Sequence, residues 1–166
     1  MKINKLILFL LPFFFVTSKI KAQNVSINIL TQKSGIVKKG KTLFLEVQIN
    51  NTDPTAYVGV FKLRTQISVP AFITTIESKG HILPTGWAIS NNSDSTLTLT
   101  NGKDMIAAND VRTILIALKG SKVGGPLSIA GRLSFSDGLE PGIATGILQG
   151  DLPADNFSTT TCKVIK

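Results

Sequence analysis

Cysteine, histidine, tryptophan and tyrosine each occur once in the 166 residues, and methionine twice. The lone Cys162 excludes an internal disulfide, so stability has to come from packing; the thiol is either a small buried apolar group or free for an intermolecular bond. The lone His81 excludes a zinc site of the His-rich kind, and one cysteine excludes a Cys-rich one. No G-x-S-x-G elbow surrounds any serine, and His81 stands in SKGHILPTG, away from any nucleophile motif. A Cys162–His81 pair would need an exposed thiol, yet Cys162 falls within a strand pattern. The expectation is an exposed loop histidine and a buried strand cysteine. Acidic residues number only 10, mostly in turns, and no two of them single themselves out as a glycosidase pair.

The one long apolar run is also short of a membrane span. LILFLLPFFFV covers residues 6–16, against the roughly 20 residues a spanning helix needs. With the lysines of MKINK before it and TSKIKA after it, residues 1–22 have the n-region, h-region and cleavage site of a secretory signal peptide. Cleavage is expected after Ala22, or alternatively after Ser18, and the product is expected to be secreted, periplasmic or at the cell surface. Removing Lys2, Lys5, Lys19 and Lys21 leaves 14 basic residues against 10 acidic ones, so the charge falls from +8 to +4. A balance that mild reads as an ordinary soluble surface and gives no reason to expect a nucleic-acid partner. Residues 23–166 are expected to form one domain, long enough for its own core and with no membrane span.

What is present is period-two alternation, with no sustained 3.6-residue period. Val25, Ile27 and Ile29 alternate with polar residues in NVSINIL. In TLFLEVQIN, Leu43, Leu45, Val47 and Ile49 share one face, while Thr42, Glu46, Gln48, Asn50 and Phe44 share the other. In YVGVFKLRTQIS, alternation places Tyr57, Phe61, Leu63 and Ile67 inward. Further strands are expected at FITTIE, WAIS, STLTLT, VRTILIAL, LSIAGRLSFS and FSTTTCKVI, between Gly-, Asn- and Pro-rich turns. VRTILIAL is apolar on both faces, which places it centrally or beneath a covered outer face. DGLEPGIATGILQGDLPAD is long for a loop and is expected to hide a short strand at IATGIL. In the closing segment, residues 150–156 are expected to turn, with Thr160, Cys162 and Val164 then facing inward. Eight to nine short strands without a helix signal make an all-β sandwich.

Candidate ligand groups are few. Asp137, Glu140, Asp151 and Asp155 gather near the long loop and could offer calcium its oxygens. They lack D-x-D-x-D-G spacing, however, and Asp side chains in turns already have backbone amides to bind. Trp87 and Phe44 are the aromatics that could face a sugar, with a core role preferred for Trp87. No catalytic, cofactor-binding or metal-ligating residue is therefore expected, and no cofactor.

The order of landmarks resembles the bacterial Ig-like surface domains of the conserved-repeat and CARDB (cell-adhesion-related) type. Gly40 opens LFLEVQIN, which ends in Asn50-Asn51. Leu83-Pro84-Thr85-Gly86-Trp87 is similar to an apolar-Pro-x-Gly-aromatic loop, and VRTILIAL stands where the family has a strongly apolar strand. Asp151, Asn156, Ser158 and Val164 match the closing pattern. Thr52-Asp53-Pro54 replaces the glycine usual after the strand-ending asparagine. The resemblance implies an Ig-like antiparallel β-sandwich with a binding or scaffolding role and no fixed catalytic site; the expected function is adhesion or a place in a surface assembly, with an envelope protein or an extracellular glycan as partner. The alternative is a soluble extracellular binder of a glycan or small ligand, using loops at one end of the sandwich.

Overall fold

Alternation in the sequence becomes alternation in burial. In β3, Thr42–Asn51, Leu43, Leu45, Val47 and Ile49 are buried, while Phe44, Glu46, Gln48 and Asn50 are half-exposed on the other face. The computed structural model describes residues 24–60, 62–75, 80–93, 95–136, 144–146 and 153–166. β1, Val25–Thr31, pairs antiparallel with β3, and β3 pairs antiparallel with β8, Val111–Gly120. The short β5, Ile73–Thr75, closes a four-stranded sheet in the order β1-β3-β8-β5.

The facing sheet runs β2-β11-β9-β4-β7-β6, with β10 paired to β9. Its strands are β2 (Ile36–Lys38), β4 (Leu63–Ser68), β6 (Ala88–Asn92), β7 (Thr96–Thr100), β9 (Gly124–Ser136), β10 (Ala144–Gly146) and β11 (Phe157–Ile165). Among the described residues there is no α-helix, only 3-10 turns at Gln32–Gly35 and Pro153–Asn156. With β1, β3, β8 and β5 in the places of A, B, E and D, and β4, β9 and β11 in those of C, F and G, the layout is that of an Ig-like sandwich.

Inward side chains of both sheets meet in one core that includes Ile29, Leu45, Ile49, Leu63, Ile67, Leu99, Ile114, Ile116 and Phe135. Glycine sets the spacing at one point. A Cβ on Gly131, in the middle of β9, would lie 2.9 Å from Ile29 Cγ2 and 3.1 Å from Ile27 Cδ1, so the missing side chain lets β1 close over β9. On the same seam the Ser158 hydroxyl accepts a 3.1 Å hydrogen bond from the Ile29 amide, satisfying a donor on the free edge of β1.

β8 is central in its sheet, and Ala117 on its outer face is buried as well, in keeping with an apolar pattern on both faces. Ala144–Gly146 forms the strand expected within IATGIL. In β11, Cys162 and Val164 are buried and Thr160 is half-buried, while Thr159, Thr161 and Lys163 are exposed. Of the closing turn, residues 153–156 form the second 3-10 turn, and residues 150–152 lie outside the described residues.

Three expectations need correction. The described residues form eleven strands where about eight to nine were expected: Ala144–Gly146 adds the one anticipated within IATGIL, and Ile36–Lys38, within a segment read as turn-rich, pairs in parallel with β11. Tyr57 does not face inward: it is 61% exposed, and Val58 is buried in its place. Val58 pairs with Ile106 in an isolated antiparallel bridge, so residues 57–60 belong to a separate ribbon with parity opposite to β4. Phe61 lies outside the described residues. His81 is not a free loop residue either; it is half-buried, and its Nδ1 accepts a 3.1 Å hydrogen bond from the Ala117 amide. β5 is too short to cover that edge of β8, so residues 81 and 82 continue the cover, with an Ile82–Leu115 bridge beside the histidine.

Candidate functional site

At one end of the sandwich β3 ends in an asparagine and β7 is followed by one, and both side chains are buried. Asn51 closes β3, and its Nδ2 donates to the carbonyls of Ala56 at 2.8 Å, Ala107 at 2.9 Å and Ile106 at 3.2 Å, while its Oδ1 accepts from the Asp53 amide. Asn101 follows β7. Its Oδ1 accepts from the Leu63 amide at 3.0 Å, and its Nδ2 donates to the carbonyls of Gly59 and Asp104, both at 2.8 Å. A side-chain amide carries two donors and an acceptor, so each asparagine substitutes for a stretch of sheet ladder where the chain has left the sheet. Asp53 adds an Asx turn: its Oδ1 accepts from the Thr55 amide, the Thr55 hydroxyl and the Ala56 amide.

Charge then ties the second loop to the sheet. Arg112 grips Asp104 with Nε at 2.7 Å and Nη2 at 3.2 Å, donates to the Met105 carbonyl at 3.0 Å, and reaches Asp110 through Nη1. The hydrogen bond from Arg112, with a second from the Val111 amide, holds the Asp110 carboxyl below its usual range; hydrogen bonding to Asp104 raises the Arg112 guanidinium above its own. Trp87 Nε1 donates to the same Asp104 carboxylate at 2.7 Å, and its ring is buried, as a core role requires. Gly86 lies alongside with φ +89, where a Cβ would come within 2.8 Å of the Asp104 amide.

This frame leaves apolar side chains outside. Tyr57 and Met105, 61% and 58% exposed, each precede one residue of the Val58–Ile106 bridge, and Val60 and Val111 are exposed as well. Ser136, from which residues 137–143 lead on, reaches the same end, because Phe135 pairs with Leu63.

Among the described residues, His81 and Cys162 are not brought together. His81 lies along β8 in the four-stranded sheet, whereas Cys162 faces the core from β11 in the other and donates to the Leu127 carbonyl at 3.6 Å. Burial pushes the Cys162 thiol up to about 11, so little thiolate exists at neutral pH. Among the described residues no three His, Cys, Asp or Glu side chains approach closely enough to share a metal ion. Of the four possible calcium ligands only Asp155 lies within the described residues, and Asp137, Glu140 and Asp151 fall outside them. Phe44 is half-buried on the outer face of β3.

Similar folds are known. One is a CARDB domain from Pyrococcus furiosus solved with two metal ions, at 10% identity and a TM-score of 0.48 over 87% of this chain and 90% of that one. A non-cellulosomal cohesin from Archaeoglobus fulgidus also scores 0.48, at 10% identity over 86% of this chain and 92% of its own. A protein that catalyses macrocyclisation in alchivemycin A biosynthesis scores 0.46, at 11% identity over 87% and 90%. No family model matches the chain, and no curated protein does. At such identities the likeness concerns the fold, and function has to be argued from the residues.

The sequence did not point to Tyr57 and Met105 as an exposed pair. Its one usable signal was an asparagine at or just after a strand end, Asn51 before Thr52-Asp53-Pro54 and Asn101 before Gly102.

Proposed function

We propose that the chain is an exported, non-catalytic Ig-like module that binds a partner protein, in adhesion or in a surface assembly, through the end carrying Tyr57 and Met105. The observation behind this reading is the contrast between a loop pair pinned by buried asparagines and an arginine clamp, and the apolar side chains it holds in water. Tyrosine and methionine are enriched at protein interfaces, and loops fixed beforehand lose little entropy on binding. The thin stock of catalytic groups points the same way: Asp104 and Asp110 are engaged by Arg112, and His81 by the β8 backbone. In this reading residues 1–22 are removed on export, residues 23–166 form the working domain, and its place is the periplasm, the cell surface or the medium.

Capture from envelope extract tests it, with the wild-type chain and a Tyr57→Ser, Met105→Ser variant as baits. A partner retained by the first and lost by the second, at equal melting temperatures, is the expected result. Identical capture by both baits would overturn the assignment. A glycan-array signal that disappears in the same variant would favour the glycan reading, in which the Tyr57 ring stacks on a sugar. Mass spectrometry of the exported protein should find a start at Gln23 or Lys19, and an intact Met1 would count against export processing.

A further inference from the structure

The opposite end of the sandwich has a different character. Lys38, Lys39 and Lys41 lie at the β2–β3 turn, Lys119 and Lys122 on either side of the β8–β9 turn, and Lys163 and Lys166 at the end of β11. Backbone hydrogen bonds fasten these segments together: Gly40 N to Gly120 O at 2.7 Å, Gly120 N to Lys41 O at 3.1 Å, and Lys39 N to Ile165 O at 2.9 Å. All seven lysines are exposed, and residues 36–42, 119–126 and 163–166 contain no Asp or Glu. A shallow depression opens between them, lined by Lys39, Gly40, Thr74, Lys119, Gly120 and Ser121.

The +4 balance of residues 23–166 is therefore unevenly shared along the chain. Seven of the 14 basic residues lie in this patch, which leaves the rest of those residues at −3. Apolar side chains stand exposed among the charges: Val123 in the β8–β9 turn beside Lys122, and Ile36 opposite Lys163 on the neighbouring strand. The nearby ring of Phe72 is buried, so it offers no face for a base or a sugar. The patch has no arginine fork for paired recognition of single phosphates, only lysines, which act as compact point charges on flexible stems.

We propose that this end is a docking surface for an anionic phospholipid bilayer. Lipid phosphates supply the dense plane of negative charge that dispersed lysines fit, and the acyl boundary accepts an exposed residue such as Val123. Binding of this kind is electrostatic and reversible, and it leaves the Tyr57 end pointing away from the membrane.

Co-sedimentation of the full chain with phosphatidylglycerol/phosphatidylcholine vesicles and with phosphatidylcholine vesicles provides the test. The apolar run at residues 6–16 would favour both kinds alike, whereas Lys2, Lys5, Lys19 and Lys21 around it add the same anionic preference to every variant, so the readout is the fall in the ratio of the two partition coefficients from wild type to variant. A lysine close to an anionic surface contributes about five-fold, so Lys39→Ala with Lys119→Ala should lower the ratio about 25-fold. Lys103→Ala with Arg132→Ala, at the other end and on a sheet face, should lower it far less. For the wild type, raising salt from 50 to 500 mM should bring the ratio towards one, a result that depends on no variant. A wild-type ratio near one at low salt would overturn the proposal, as would equal losses in the two double variants. So would tight binding of a short DNA duplex with no preference for anionic vesicles, which would assign the lysines to a different polyanion.

Discussion

Backbone hydrogen bonds hold both ends of this sandwich, and the ends differ in what polar side chains add to them. At the Tyr57 end, side chains reinforce backbone bonds such as the Val58–Ile106 bridge: Asn51, Asn101, Asp53 and Arg112 satisfy backbone groups that have left the sheet, and apolar groups remain outside. At the lysine end the backbone holds itself, through ladder-like bonds among the β2–β3 turn, the β8–β9 turn and β11, and the charged heads remain free. Polar side chains therefore serve stability at one end and are available for binding at the other. Substitutions should separate the two.

The largest effect is expected at the pinned end. Asn101→Ala strands the Leu63 amide and the Gly59 and Asp104 carbonyls, and at about 1–3 kcal/mol for each unsatisfied buried group the loss should be on the order of 4 kcal/mol. Denaturant titration would show it, and a loss under about 1 kcal/mol would mean that water replaces the amide.

Near the lysine end the sensitive element should be the backbone. Gly35 has φ +73 where the chain crosses from β1 to β2, and a Cβ there would fall 2.1 Å from the Thr161 carbonyl oxygen. Gly35→Ala should cost about 3 kcal/mol, from overpacking together with the left-handed backbone. A neutral result would show that the crossing can shift without loss.

Alkaline pH should act through the thiol in the same region. Burial pushes the folded Cys162 thiol up to about 11 from an ordinary value of 9.0. Between those values the unfolded chain gives up the proton that the folded chain retains, so stability is full below pH 9 and falls as pH rises towards 11. The loss should be on the order of 2 kcal/mol. Cys162→Ala should flatten this part of the pH profile, whatever it does to stability at neutral pH.

The smallest effect closes the comparison. Lys39→Ala with Lys119→Ala should change stability by roughly 0.5 kcal/mol or less, as exposed substitutions do. A larger loss would make these lysines structural and remove the contrast between the ends.

Much of the sandwich was legible locally. The alternation in TLFLEVQIN and FSTTTCKVI gave the faces of β3 and β11, because each side chain's direction in a strand follows from its neighbours. Tyr57 was misread by the same rule: the chain leaves one ladder and enters another between residues 51 and 63, and parity carries no information across such a break. His81 was misread because its partner, the Ala117 amide, is 36 residues away.

By itself, then, the sequence determined an all-β chain, the inward faces of its long strands, its thin catalytic inventory and its net charge. All of these depend on composition or on short-range pattern. Only the tertiary structure decided that Lys38, Lys119 and Lys163 share one end while Asn51 and Asn101 pin the other. Strand pairing across the sheets sets those neighbourhoods, and Asn51 reaches carbonyls 55 and 56 residues further along the chain. Composition records how much charge a chain carries, but the pairing of distant strands determines where that charge gathers.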